Sequence, residues 1–155
     1  MEAGARRWVL LAVMLSIFLA AMESTVVATA MPTVVRSLGG LETYSWVFSG
    51  FLLTSTVSMP LWGRLSDLFG RRSTYLAGLA LFTAASLACG LARGTGELIA
   101  FRLVQGAGAA AIPTLAVAAV THRFDGAARA VALGRLAGMT AALSSIGPLV
   151  GGVVA

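Results

Sequence analysis

Five apolar runs, separated by short polar breaks, fill almost the whole chain. They lie at about residues 8–30, 44–62, 73–91, 97–120 and 130–155. An α-helix needs about 20 consecutive apolar residues to cross the hydrocarbon of a bilayer. Inside lipid every backbone N–H and C=O must be satisfied within its own segment, so helices are the structure these runs predict. The expected fold class is therefore an all-α integral membrane protein with about five transmembrane helices. Charged residues make up 11% of the chain and hydrophobic ones 58%, with a mean hydropathy of +0.90. A soluble domain carries about 25% charged residues, so this chain could not cover its own surface in water.

Most of the charge lies in the breaks, and the densest cluster is Gly63-Arg64-Leu65-Ser66-Asp67-Leu68-Phe69-Gly70-Arg71-Arg72. It separates the second and third runs and reads as a hairpin over 63–72. Its glycines permit a tight reversal where side chains would clash. Its arginines cannot enter hydrocarbon cheaply and so mark one side of the membrane. A loop that only anchors topology would need the arginines but not Asp67. The odd-numbered breaks hold Arg6, Arg7, Arg64, Arg71, Arg72, Arg123 and Arg129, against Arg36 and Arg93 in the even-numbered ones. This asymmetry predicts a cytoplasmic N-terminus and a cytoplasmic hairpin.

Other classes fit poorly. The net charge is +5, but the arginines form short clusters between apolar runs and no continuous basic face, so no nucleic-acid partner is expected. Arg6 and Arg7 could head a signal peptide ending near Ala30, but the apolar run continues through Val26 and Val27 and further runs follow, which predicts a retained first span. Cys89 is the single cysteine and has no disulfide partner in the chain. His122 is the single histidine, beside Arg123. With no nucleophile–base pair and no metal-ligand spacing, neither an enzyme nor a cofactor is expected.

The hairpin pattern G-x-L-x-D-x-x-G-R-R, carried by Gly63, Leu65, Asp67, Gly70, Arg71 and Arg72, resembles the loop between the second and third helices of the major facilitator superfamily. Three further stretches resemble that family in order. Met22 to Pro32 is similar to the first-helix signature of its fourteen-helix drug:proton antiporter branch, with Glu23 where the branch has aspartate and Ala28 where it has asparagine. Arg102-Leu103-Val104-Gln105-Gly106-Ala107-Gly108-Ala109-Ala110 resembles the fourth-helix pattern R-x-x-Q-G-x-G-A-A. Gly147-Pro148-Leu149-Val150-Gly151-Gly152 resembles the fifth-helix antiporter pattern, with Leu143 in place of a further glycine. Read from the residues, Pro148 removes a backbone hydrogen bond and the glycines allow a bend and close packing.

The resemblance implies the N-terminal piece of a longer transporter, built of two pseudo-repeated halves that rock about a midplane site. Its expected activity is proton-coupled efflux of small amphipathic molecules across the inner (plasma) membrane. The implied partners are the substrate, protons, the lipid bilayer and the remainder of the transporter, and the hairpin is the implied cytoplasmic gate. Two alternatives stand beside it: a small homodimeric multidrug transporter, which would have four spans, and a non-transporting anchor or decayed fragment.

Glu23 and Arg102 are the charges that fall inside predicted spans at comparable depth. Counting the helical rise inward from Pro32 and from Gly96 puts them about 13 Å and about 9 Å below the outer surface. An isolated carboxylate in hydrocarbon takes up a proton, while a nearby guanidinium favours the charged form. Glu23 is therefore the candidate proton-responsive acid, Arg102 its modulator, and Gln105 a neighbour on the same helix face because it lies three residues on. The weaker alternatives are a structural acid at Glu23 and an arginine at 102 that snorkels outward.

Overall fold

The computed structural model describes residue 11 and residues 14–20, 44–123 and 126–154. Glu23, the rest of the first-helix pattern and the predicted outer loop from Pro32 to Thr43 lie outside the described residues. Among the described residues every regular element is α-helical. After a first helix, α1, at residues 14–20, come α2 (Tyr44–Phe69), α3 (Arg71–Gly90), α4 (Thr95–Ala109), α5 (Ala111–Arg123) and α6 (Gly126–Val154). They divide into two units, one within Met31–Leu115 and the other within Met1–Ala30 and Ala116–Ala155.

In the first unit α4 packs against both α2 and α3. Its buried face is Thr95, Leu98, Arg102 and Gln105, with Gly106 and Gly108 beside them. That three-and-four spacing places the side chains in one row. The row is unusual because three of its four side chains are polar. The large apolar side chains of α2 do the opposite: Leu52, Leu53, Val57 and Leu61 are exposed. A water-soluble helix pair would bury these leucines and expose the arginine. The arrangement suits a surface that meets lipid, with polar groups paired within the protein. By length and apolarity α3 and the stretch Thr95–His122 are each able to cross a bilayer.

The contacts of α4 explain its glycines. A Cβ added at Gly106 would run into the Phe51 carbonyl and the Thr54 hydroxyl of α2. One added at Gly108 would stand 2.6 Å from the backbone nitrogen of Phe82 in α3. The G-x-G spacing thus lets one helix touch the backbones of two neighbours. Gly50 of α2 reciprocates, since a Cβ there would lie 3.0 Å from Leu103. Without a hydrophobic force between helices in lipid, such close backbone approach supplies much of the packing energy.

The fourth predicted span is two helices. α4 ends at Ala109 and α5 begins at Ala111. Pro113 is the cause: it has no N–H to offer the Ala109 carbonyl four residues back, and its ring crowds that oxygen. Ala110 keeps right-handed angles (φ −59°, ψ −28°), so the chain is offset without turning back. The predicted polar break at 121–129 is also narrower than expected, because α5 runs to Arg123 and α6 starts at Gly126.

The second unit holds α1, α6 and the residues of α5 from Ala116 onward. Ala116 and Val120 on α5, Ala132 and Leu136 on α6 and Ser16 on α1 are buried. Each apolar pair is four residues apart, which gives one inward stripe per helix. Gly147, Pro148, Gly151 and Gly152 lie within the helical span of α6, and their side-chain surroundings lie outside what is described.

Candidate functional site

A buried polar cluster joins three helices of the first unit. Arg102 is 3% exposed and Gln105 is fully buried. Their spacing on α4 brings the Arg102 Nη1 donor to 2.9 Å from Gln105 Oε1. The same oxygen accepts from the Cys89 thiol of α3 at 3.5 Å. On the α2 side the guanidinium lies over the Phe51 ring, 5.4 Å from its centroid, a distance at which a cation is attracted to the π face. The arginine does not snorkel to the surface. It turns inward, where the amide, the thiol and the ring surround a charge that hydrocarbon would otherwise penalise. Counted from Thr95, it sits about 10 Å along α4.

Cys89 and Phe51 are the members that sequence reasoning missed. The single cysteine gives no spacing signal, and Phe51 is one apolar residue among many. Only the packing of α4 between α2 and α3 brings them to the motif residues.

The hairpin is tighter than the predicted 63–72 break. α2 continues as helix through Phe69, and only Gly70 stands outside it before α3. Gly70 has φ +83°, which an L side chain rarely adopts. The reversal is then pinned by hydroxyls. Thr74 Oγ1 donates to the Gly70 carbonyl at 2.9 Å and to the Leu65 carbonyl on α2 at 3.3 Å. Ser66 Oγ donates to the Gly63 carbonyl at 2.7 Å. Arg64, Asp67 and Arg72 are exposed, and Arg71 is half-buried. Among the described residues Asp67 makes no ion pair with Arg64, Arg71 or Arg72. Gly63 has open space around it, with nothing within 4 Å of an added Cβ. Of the two motif glycines, the described packing therefore explains Gly70 and leaves Gly63 without a contact that requires it.

Trp62, at the end of the second apolar run, is half-buried. Its indole N–H donates to the Ala107 carbonyl of α4 at 2.6 Å. At the other turn, between α3 and α4, the Glu97 carboxylate accepts from the Arg93 backbone N–H at 2.9 Å. That bond satisfies a donor just ahead of the helix start, and the acid in the first turn also favours the positive end of α4.

Exposed apolar helix faces, a buried arginine–amide row and glycine-mediated backbone contacts define a helical membrane protein with a polar interior. The chain belongs to the Major Facilitator Superfamily, whose family model matches residues 13–155. It is 41% identical to the multidrug transporter protein MdtP of Bacillus subtilis over 138 residues, covering 89% of this chain and 26% of that protein. It is 35% identical to multidrug resistance protein 3 of the same species over 152 residues, covering 96% of this chain and 29% of that protein. It is 37% identical to the efflux pump dotC of Dothistroma septosporum over 144 residues, covering 93% of this chain and 25% of that protein. The chain thus spans about a quarter of the length of the curated relatives it matches.

Proposed function

We propose that this chain forms part of a multidrug-type efflux transporter that exports small amphipathic molecules across the plasma membrane in exchange for protons, by alternating access. The observation that carries the reading is the Arg102–Gln105 pair, buried at 2.9 Å between the helices of the first unit. A buried ionisable group in a membrane span marks a substrate or ion path by default. The names of the relatives support drug efflux as the process. Membership of the family sets the chain apart from the small homodimeric class. The proposed orientation places the N-terminus and the Gly63–Arg72 turn in the cytoplasm, where Asp67, Gly70, Arg71 and Arg72 act as a gate. In that role Asp67 faces a helix N-terminus of the opposing half, since an unpaired carboxylate complements the positive end of a helix. Gly147, Pro148, Gly151 and Gly152 would supply a close-packed, bent segment of α6.

Glu23 is the proposed proton-responsive acid and Arg102 its modulator. The test is Glu23→Gln in the full-length gene product, reconstituted in vesicles with an imposed pH gradient. Loss of gradient-driven dye uptake with dye binding retained is the expected result. Uptake that still follows the gradient would move the proton site elsewhere in the transporter.

A further inference from the structure

We infer that Trp62 is a positioning residue that holds the break between α4 and α5 in register with the charged turn of α2. The inference rests on the transport reading above for its functional arm only. Trp62 directly precedes Gly63, the first residue of the hairpin pattern, while Ala107 lies between Gly106 and Gly108 of the fourth-helix pattern. The 2.6 Å bond from the indole to the Ala107 carbonyl therefore joins two motifs that are 45 residues apart in the chain.

The bond falls where it has most to hold. A helix that ends at Ala109 leaves its last four carbonyls, those of residues 106 to 109, without assured partners inside the helix. The Ala110 N–H bonds to the Gly106 carbonyl at 3.2 Å. Pro113 offers no N–H to the Ala109 carbonyl. The indole donates to Ala107, in the turn between them. Ala107 and Trp62 are both half-buried, and a carbonyl kept from water without a donor is costly, so the indole's bond stabilises the break.

The ring is also confined. A Cβ added at Gly78 of α3 would lie 3.6 Å from the far edge of the Trp62 ring and would run into Ala111 at the start of α5. Gly78 thus clears a notch that the indole and Ala111 share. Trp62 touches the end of α4 through its N–H and the notch beside α5 through its ring, while its backbone belongs to the turn of helix that leads into the hairpin. A displacement of that end of α2 must either carry the break with it or release the carbonyl.

The experiment compares Trp62→Phe, which keeps an aromatic ring and removes the N–H, with Trp46→Phe, the same chemical change at an exposed position. Amide hydrogen exchange is followed by mass spectrometry on the full-length gene product in lipid nanodiscs. Trp62→Phe should speed exchange about tenfold in peptides covering Gly106–Leu115, as expected for a half-buried carbonyl that loses its donor. Trp46→Phe should leave those peptides unchanged. Equal exchange in the two variants overturns the inference, whether or not the protein transports drugs. In the transport assay, Trp62→Phe should lower the maximal rate and leave KM unchanged. A raised KM at an unchanged rate would instead make Trp62 a substrate contact and overturn the positioning role. If Trp62→Phe does not accumulate, the wild-type protein decides: the Trp62 indole proton should exchange with D2O at least tenfold more slowly than that of Trp46, and equal rates refute the bond.

Discussion

Gly108→Ala is the substitution for which the structure gives the clearest magnitude. An added Cβ would stand 2.6 Å from the Phe82 nitrogen, 2.9 Å from its Cα and 3.2 Å from the Gly78 carbonyl oxygen. Ordinary carbon contacts lie at about 3.5–4.0 Å, so α3 and α4 must part by roughly 1 Å. The atoms in the way are backbone and cannot rotate aside. Overpacking of this kind costs about 1–3 kcal/mol. Alanine returns about 0.8–1.0 kcal/mol of helix propensity. The net loss expected is about 0–2 kcal/mol. Gly96→Ala, in the first turn of the same helix, meets nothing within 4 Å and keeps the propensity gain without the clash. Two identical chemical changes in one helix should therefore move stability in opposite directions. Thermal unfolding of the full-length gene product in detergent, read by size-exclusion recovery, measures both. Gly108→Ala should melt below the parent by up to about 8 °C, using about 2–4 °C per kcal/mol. If it melts at or above Gly96→Ala, the close backbone contact between α3 and α4 is refuted.

Two further outcomes follow from the site. Asp67→Asn in the full-length gene product should slow dye efflux while leaving membrane insertion and expression intact, and unaltered efflux would reduce the Gly63–Arg72 turn to a topology anchor. Gln105→Leu should lower the melting temperature by removing the acceptor of a buried guanidinium, a loss of about 1.5–3 kcal/mol; adding Arg102→Met should recover part of it, because replacing both partners by apolar groups removes the stranded charge, and strictly additive effects would refute the pairing.

The sequence made the helical class and the motif positions legible because both depend on local pattern. Apolar runs set the helices, and Gly70 between Phe69 and Arg71 marked the reversal that its φ of +83° now explains. The shared face of Arg102 and Gln105 followed from a spacing of three. What stayed hidden is what depends on neighbours. Nothing local distinguishes Phe51 from Phe48, or links Cys89 on α3 to an amide on α4. By its place at a span end Trp62 reads as an interfacial aromatic. Its partner is a backbone carbonyl, which carries no signature in the sequence.

Proline shows the same limit from the other side. Pro60 lies inside α2, which runs unbroken from Tyr44 to Phe69, whereas the helix ahead of Pro113 breaks at Ala110. Each proline withdraws the same N–H and crowds the same carbonyl four residues back. The difference lies in what surrounds the freed backbone. Ahead of Pro60, the hydroxyls of Ser55 and Thr56 bond to the Leu52 carbonyl at 3.0 and 2.8 Å and stay on their own helix. Ahead of Pro113, Gly106 and Gly108 press α4 onto the backbones of α2 and α3, and the Trp62 indole takes hold of the Ala107 carbonyl between them. A helix clamped on two sides and bonded from outside has less freedom to absorb the missing bond by smooth bending, so the offset concentrates at one residue. That residue is the last of the pattern that carries Arg102 and Gln105, which makes the break a consequence of the same close packing that holds the buried charge in place.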